Sequence, residues 1–302
     1  MRFEPKKAVM SDGAVLNCVE AGEGRPLVYL NGFGEDVSSA RRLLEKLSGS
    51  YRCVTFDHRG YGGTEPTSNA GVERSAQDLR ELLGAWGLEN VALVGYSMGG
   101  SVAFSYAQQF GMDRIGRLVL LDTAPKLINE DGWELGLWQG RYSRFDFERD
   151  LQTIVDNVSL FNLSFYARAA QKSRPDAEVR FPDYYDFDGW IEKVAEITKV
   201  RVPFVKKIFS LDYSAEKVAC ARNYWETMTG GDWRDVLETI TIPTLCLFAD
   251  PGSFYCEATA RHMAERIPNA RAEAIQDACH TCPKDNWAEV AEKIEGFLSL
   301  AD

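Results

Sequence analysis

A chain of 302 residues, 45% hydrophobic and 26% charged, has enough apolar material for one large domain or one domain with a sizeable insertion. Its formal charge of −11 argues against nucleic acid or an anionic membrane as partner, and no apolar run approaches the ~20 residues of a membrane helix. The opening MRFEPKKAVMSDG lacks the apolar segment of a secretory signal, and seven scattered cysteines form no disulfide framework, so a reducing, cytoplasmic setting is expected.

Along the chain, short apolar runs alternate with helical patterns, the rhythm of a mostly parallel sheet with helices on both faces. PLVYL (26–30) and CVTFD (53–57) are the first clear strands. A helical repeat over residues 74–86 precedes VALVGY (91–96), and a second over residues 99–110 precedes LVLLD (118–122). Residues 125–236 then interrupt the rhythm with a helical, aromatic-rich stretch. It contains Trp133, Trp138, Tyr142, Phe145, Phe147, Phe161, Phe165 and Tyr166. This reads as a helical cap inserted between two strands, with most rings packing the cap and a few lining a pocket beneath it. The core, residues 1–124 and 237–302, resumes with TLCLF (244–248), a helix over 257–267, a strand near 272–275 and a closing helix at Trp287–Leu298. Cys220 and Cys246 lie in apolar runs and read as small buried hydrophobes. Cys279 and Cys282 form a CxxC without a second ligand pair, so no metal is expected there.

The chemistry gathers around VGYSMGG (94–100), which sets Ser97 between a strand and a helix inside Gly-Tyr-Ser-Met-Gly. A turn this tight strains the serine backbone and needs small neighbours. It lifts the hydroxyl to the C-terminal edge of the sheet, beside a helix start that favours developing negative charge. A serine hydroxyl is a poor nucleophile until a base takes its proton.

With these residues in order, the chain resembles the α/β-hydrolases over nearly its full length. LNGFGED (30–36) is similar to the family's oxyanion loop, with Asn31 where relatives usually carry His. FDHRGYGGTE (56–65) matches the Asp-x-Arg-Gly-x-Gly-x-Ser/Thr loop through Asp57, Arg59, Gly60, Gly62 and Thr64. DACHTCP (277–283) follows the last strand, where the family carries its catalytic histidine. The resemblance implies Ser97 as nucleophile, His280 as base, and the backbone N–H groups of Phe33 and Met98 as the oxyanion hole. Asp57 and Arg59 would be structural, tying loops together. His58 falls in the arginine-containing loop and His262 on an exposed-looking helix.

The acid is the exception. Most relatives place it in Gly-x-x-Asp after the strand equivalent to TLCLF, and here that pattern runs Ala249-Asp250-Pro251-Gly252. Two aspartates are candidates. Asp122 ends LVLLD, a position used by branches that include certain haloalkane dehalogenases and cofactor-free dioxygenases. Asp250 lies two residues early in the usual loop. Asp122 is preferred, because in the family's strand order its tip faces the same cleft as Ser97. Asp250 is the alternative acid, and a Ser–His dyad the third possibility.

The expected activity is that of a serine hydrolase on a small-molecule ester, thioester or lactone with a largely apolar acyl group. No cofactor is implied. Dehalogenase and epoxide hydrolase chemistry in this family requires Asp at position 97. The rivals are a cofactor-free oxygenase or perhydrolase on the same scaffold, and a ligand-binding receptor with a residual triad.

Overall fold

Alternation along the apolar runs builds the sheet. In β3 (Pro26–Leu30), Leu27 and Tyr29 point into one apolar layer and Val28 and Leu30 into the other. The same division recurs in β4 (Arg52–Phe56), β5 (Val91–Tyr96) and β6 (Ile115–Leu121). Strands apolar on both faces must be covered on both, which is the situation of a parallel sheet. Each fully buried Val or Leu on these strands contributes about 1.5–3 kcal/mol of burial.

The computed structural model describes residues 3–158, 161, 162, 164, 165, 168, 192, 214–252 and 254–300. Eight strands form one sheet, with β1 (Glu4–Val9), β2 (Val15–Ala21), β7 (Thr244–Gly252) and β8 (Ala270–Cys279) completing the order β1-β2-β4-β3-β5-β6-β7-β8. β2 pairs antiparallel with both β1 and β4, and the other neighbours run parallel. Helices α1 (Arg41–Leu47) and α7 (Trp287–Leu298) cover one face, while α2 (Val72–Ala85), α3 (Met98–Phe110) and α6 (Glu257–Arg266) pack into the other layer. Among the described residues no helix is long and apolar enough to cross a membrane.

The expected strands and helices all form, with shifted ends. The β1–β2 hairpin was not among them, because Lys6, Lys7 and Glu20 interrupt any apolar run in a half-exposed pair of strands. β8 is longer than residues 272–275, since much of it is only partly buried and its apolar signal is weak.

Between β6 and β7 the described residues form α4 (Arg144–Asp156), α5 (Ala215–Gly230) and a 3₁₀ segment, Arg234–Thr239. Ser143 and Asp146 close a reciprocal capping box at the start of α4. The two ends of the stretch between β6 and β7 lie side by side. The Trp233 N–H donates to the Pro125 carbonyl at 2.9 Å, and Lys126 and Asp232 form an isolated bridge.

Candidate active site

The site starts from backbone. Every residue of β5 is buried, and the chain leaves it through Ser97 at φ 50°, ψ −116° before α3 begins at Met98. A non-glycine residue held there is strained, a condition that persists only where the surroundings enforce it. They do so by close packing. A Cβ on Gly95 would lie 2.6 Å from the Gly99 carbonyl oxygen, and one on Gly99 would lie 2.3 Å from that of Leu30. The Ser97 N–H donates to the Leu121 carbonyl at 3.0 Å, and the Ser97 carbonyl accepts from the Thr123 hydroxyl at 3.0 Å.

Strand order brings the next group alongside. β6 neighbours β5, and Asp122 follows its last residue, also at positive φ (49°) and buried. The Asp122 N–H donates to Leu247 at 2.8 Å, and its Oδ1 accepts the Ala249 N–H at 3.1 Å. The remaining oxygen, Oδ2, lies 2.6 Å from His280 Nδ1. His280 comes immediately after β8, and its Nε2 is 3.0 Å from Ser97 Oγ. The His280 carbonyl accepts a 2.7 Å bond from the Tyr96 hydroxyl, which fixes the loop to the strand before Ser97. A serine, a histidine and a buried carboxylate thus form one hydrogen-bonded line. Asp250 does not join it. Past Ala249, whose side chain belongs to the buried layer, a register irregularity intervenes and Asp250 is exposed.

The expected oxyanion loop lies against this line. A Cβ on Gly32 would crowd the Tyr96 ring at 3.0 Å and approach Ser97 Cβ to 3.4 Å, so glycine lets that backbone come close without displacing the ring. Phe33 follows Gly32. Met98 opens α3, so its N–H has no acceptor within the helix. Asn31, in the place of the usual His, is buried and donates to Thr55 Oγ1 at 3.0 Å and to the Phe56 carbonyl at 3.1 Å. It anchors the loop to β4.

Three neighbours of the site escaped the sequence reading. Glu35, buried, accepts the Gly32 N–H on one oxygen at 3.2 Å and meets Lys284 Nζ on the other at 2.5 Å. This pair joins the loop at Gly32 to the turn after His280. Phe254 stacks on the His280 imidazole with ring centroids 4.3 Å apart. The signal for Glu35 was an acid placed one turn after a loop glycine. Phe254 carried no sequence signal, because only the path of its loop decides what it covers.

Above the line lies a cavity of about 290 Å³. Ser97 and His280 reach its wall, and Leu127, Phe161, Phe165, Trp225, Met228 and Phe254 are among its apolar lining residues. Of the rings singled out between 133 and 166, Phe161 and Phe165 line the cavity, while Trp133, Trp138, Tyr142 and Phe147 are buried in packing. Phe145 is exposed, and Tyr166 lies outside the described residues.

The remaining candidates sit elsewhere. Asp57 accepts from Asn17 Nδ2, the Gly63 N–H and the Val37 N–H at 2.8, 2.7 and 2.6 Å, joining its own loop to β2 and to the loop after β3. Arg59 forks onto Asp78 through bonds of 2.8 and 2.7 Å and also reaches Asp12. His58 is buried and bonded to Ser75, and burial pushes its imidazole down to about 4. His262 is half-buried rather than exposed, because its ring meets the edge of Trp133. Cys279 and Cys282 are buried, and burial drives both thiols up. Among the described residues no three or more His, Cys, Asp or Glu side chains are grouped to hold a metal ion.

The family model for the alpha/beta hydrolase fold matches residues 25–286, which hold every group of this line. The chain belongs to the α/β-hydrolase family. Among α/β-hydrolase relatives, a non-heme chloroperoxidase of Kitasatospora aureofaciens is 30% identical over 281 residues, 89% of this chain and 90% of its own. Lipase 1 of Psychrobacter immobilis is 25% identical over 99% of this chain and 86% of its own. An esterase from Exiguobacterium antarcticum superposes with a TM-score of 0.76 at 20% identity, covering 98% of this chain and all of that one. At that identity the superposition speaks for the fold alone.

Proposed function

We propose that this α/β-hydrolase is a serine hydrolase that cleaves an ester, thioester or lactone with a largely apolar acyl group, using Ser97, His280 and Asp122. The observation that carries the reading is the unbroken line from Asp122 Oδ2 through His280 to Ser97 Oγ, at 2.6 and 3.0 Å, opening on an apolar cavity.

Chemistry follows from that line. Ser97 Oγ attacks the acyl carbon while its proton passes to His280 Nε2. Asp122 accepts the Nδ1–H, which holds the ring in the tautomer that leaves Nε2 free to take the proton. The carbonyl oxygen becomes an oxyanion held by the N–H groups of Phe33 and Met98, a contribution of about 3 kcal/mol per donor in such sites. His280 then protonates the departing oxygen or sulfur. A water, deprotonated by the same nitrogen, attacks the acyl-enzyme and returns Ser97. Residues 125–236 act as the cap that selects the substrate, since Phe161, Phe165 and Trp225 come from that stretch.

A fluorophosphonate probe is expected to label Ser97 in the whole protein. Ser97→Ala should lose labelling and lower p-nitrophenyl ester turnover by about 10⁴-fold or more, with the fold intact by circular dichroism. Unchanged turnover in the variant would remove the proposal. A second reading, perhydrolysis, is favoured by the 30% identity to a non-heme chloroperoxidase. There hydrogen peroxide replaces water on the acyl-enzyme and releases a peracid. Peracid formation against acid release separates the two.

A further inference from the structure

In the stretch where relatives carry the acid, this chain carries an aromatic ring, and that ring lies on the base. Phe254 follows β7, the strand that in most α/β-hydrolases leads to the catalytic carboxylate. Its ring stacks on His280 at 4.3 Å between centroids, with 27° between the planes. Among the described residues, the other rings beside His280 are Tyr96 at 5.3 Å and Tyr255 at 6.2 Å, the latter edge-on. Phe254 is buried, as is His280, so solvent does little to screen what passes between them.

We infer that Phe254 is a positioning residue that acts through His280, its π face favouring the imidazolium formed while Ser97 is attacking. The inference rests on the serine-hydrolase reading. In that reading Nε2 gains the Ser97 proton as the bond from Oγ to the acyl carbon forms. It loses that proton to the leaving atom as the tetrahedral intermediate collapses. The ring is neutral before and after and positive only in between. A flat π face at 4.3 Å attracts the positive ring more than the neutral one, and most strongly where water is excluded. Stabilisation that appears only in the charged state lowers the barrier without tightening the ground-state complex. The same stacking limits rotation of the imidazole, complementing the bond from Nδ1 to Asp122.

Burial alone would give Phe254 a packing role, so the test must change its π face and leave its shape. Phe254 is replaced in the full chain by mono-, di- and trifluorinated phenylalanine, which keep the ring's outline while weakening its negative face. Acylation is followed by the burst with a p-nitrophenyl ester, and Tm is measured in parallel. The acylation rate should fall stepwise with each fluorine, by about tenfold across the series, with KM and Tm almost constant. A purely structural ring would give a flat series, and that result overturns the inference. Should the trifluorinated protein fail to fold, Phe254→Trp against Phe254→Leu serves instead. Trp should keep the rate within about threefold and Leu lose about tenfold, and equal losses in both overturn the inference. Failure of the underlying reading looks different: the wild-type burst would persist in Ser97→Ala.

Discussion

Two histidines in this molecule stand 3.0 Å from a serine hydroxyl, and only one of the two pairs has a carboxylate on the far ring nitrogen and a cavity beside it. His280 and Ser97 come from two loops at the C-terminal edge of the sheet. His58 and Ser75 come from the arginine-containing loop and the interior of α2. Ser75 also shares its hydroxyl with Tyr224 at 3.1 Å, and its own N–H is spent on the Gly71 carbonyl inside the helix. Ser97 instead sits in a strained turn with the opening N–H of α3 beside it. His280 has a buried carboxylate on its far nitrogen, whereas burial keeps His58 neutral down to about 4. A short Ser–His distance therefore does not by itself distinguish the two pairs. The third partner, available donors and a cavity make the difference.

Removing the third partner tests this most severely. Asp122→Asn should reduce kcat/KM on a p-nitrophenyl ester by about 10⁴-fold, because an amide no longer holds His280 in the productive tautomer. Asp250→Asn, on an exposed side chain, should change it less than about twofold. A larger loss at Asp250 would break the comparison, and small losses at both would leave a dyad.

The donor side comes next. Lys284→Met leaves the buried Glu35 carboxylate without its cation and loosens the Gly32–N–H anchor of the loop proposed to hold the oxyanion. We expect kcat to fall about tenfold with KM moving less. Glu35→Gln combined with Lys284→Met should recover part of the loss, since no charge is then stranded. Equal damage in the single and double variants would show that the pair does not govern the loop.

At the other histidine only a small effect on rate is expected, and the readout is stability. The native imidazole of His58 sits at about 4, below its ordinary 6.5, so the unfolded chain binds the proton first as pH falls. Stability present above about 6.5 should thus be lost between 6.5 and 4, by about 3 kcal/mol. His58→Gln should flatten that part of the curve in urea titrations at pH 7 and 4.5, with kcat/KM at pH 7 within about threefold of wild type. A variant as acid-sensitive as wild type would assign the loss to other groups.

How far the sequence reached follows the range of the interactions. Strands β3 to β7, the helices around them and the Ser97 turn were legible, because apolar period and glycine spacing are local properties. The β1–β2 hairpin was not, since its pattern is blurred by Lys6, Lys7 and Glu20. Asp57, Arg59 and His280 could be picked out because their motifs are short and contiguous.

Which aspartate meets His280 lay beyond any local pattern. Asp122 and His280 are 158 residues apart, and their meeting depends on β6, β7 and β8 lying in that order with the right register. A one-residue shift in a strand turns its side chains to the opposite face, so the pairing of Asp122 rather than Asp250 is a property of the assembled sheet. The same holds for Phe254 on the imidazole and for the Glu35–Lys284 pair. By itself the sequence determined the layers, the strained serine and the kind of chemistry it invites. Tertiary structure decided the partners, because a carboxylate and a ring find the same imidazole only after three strand ends have been brought to one edge.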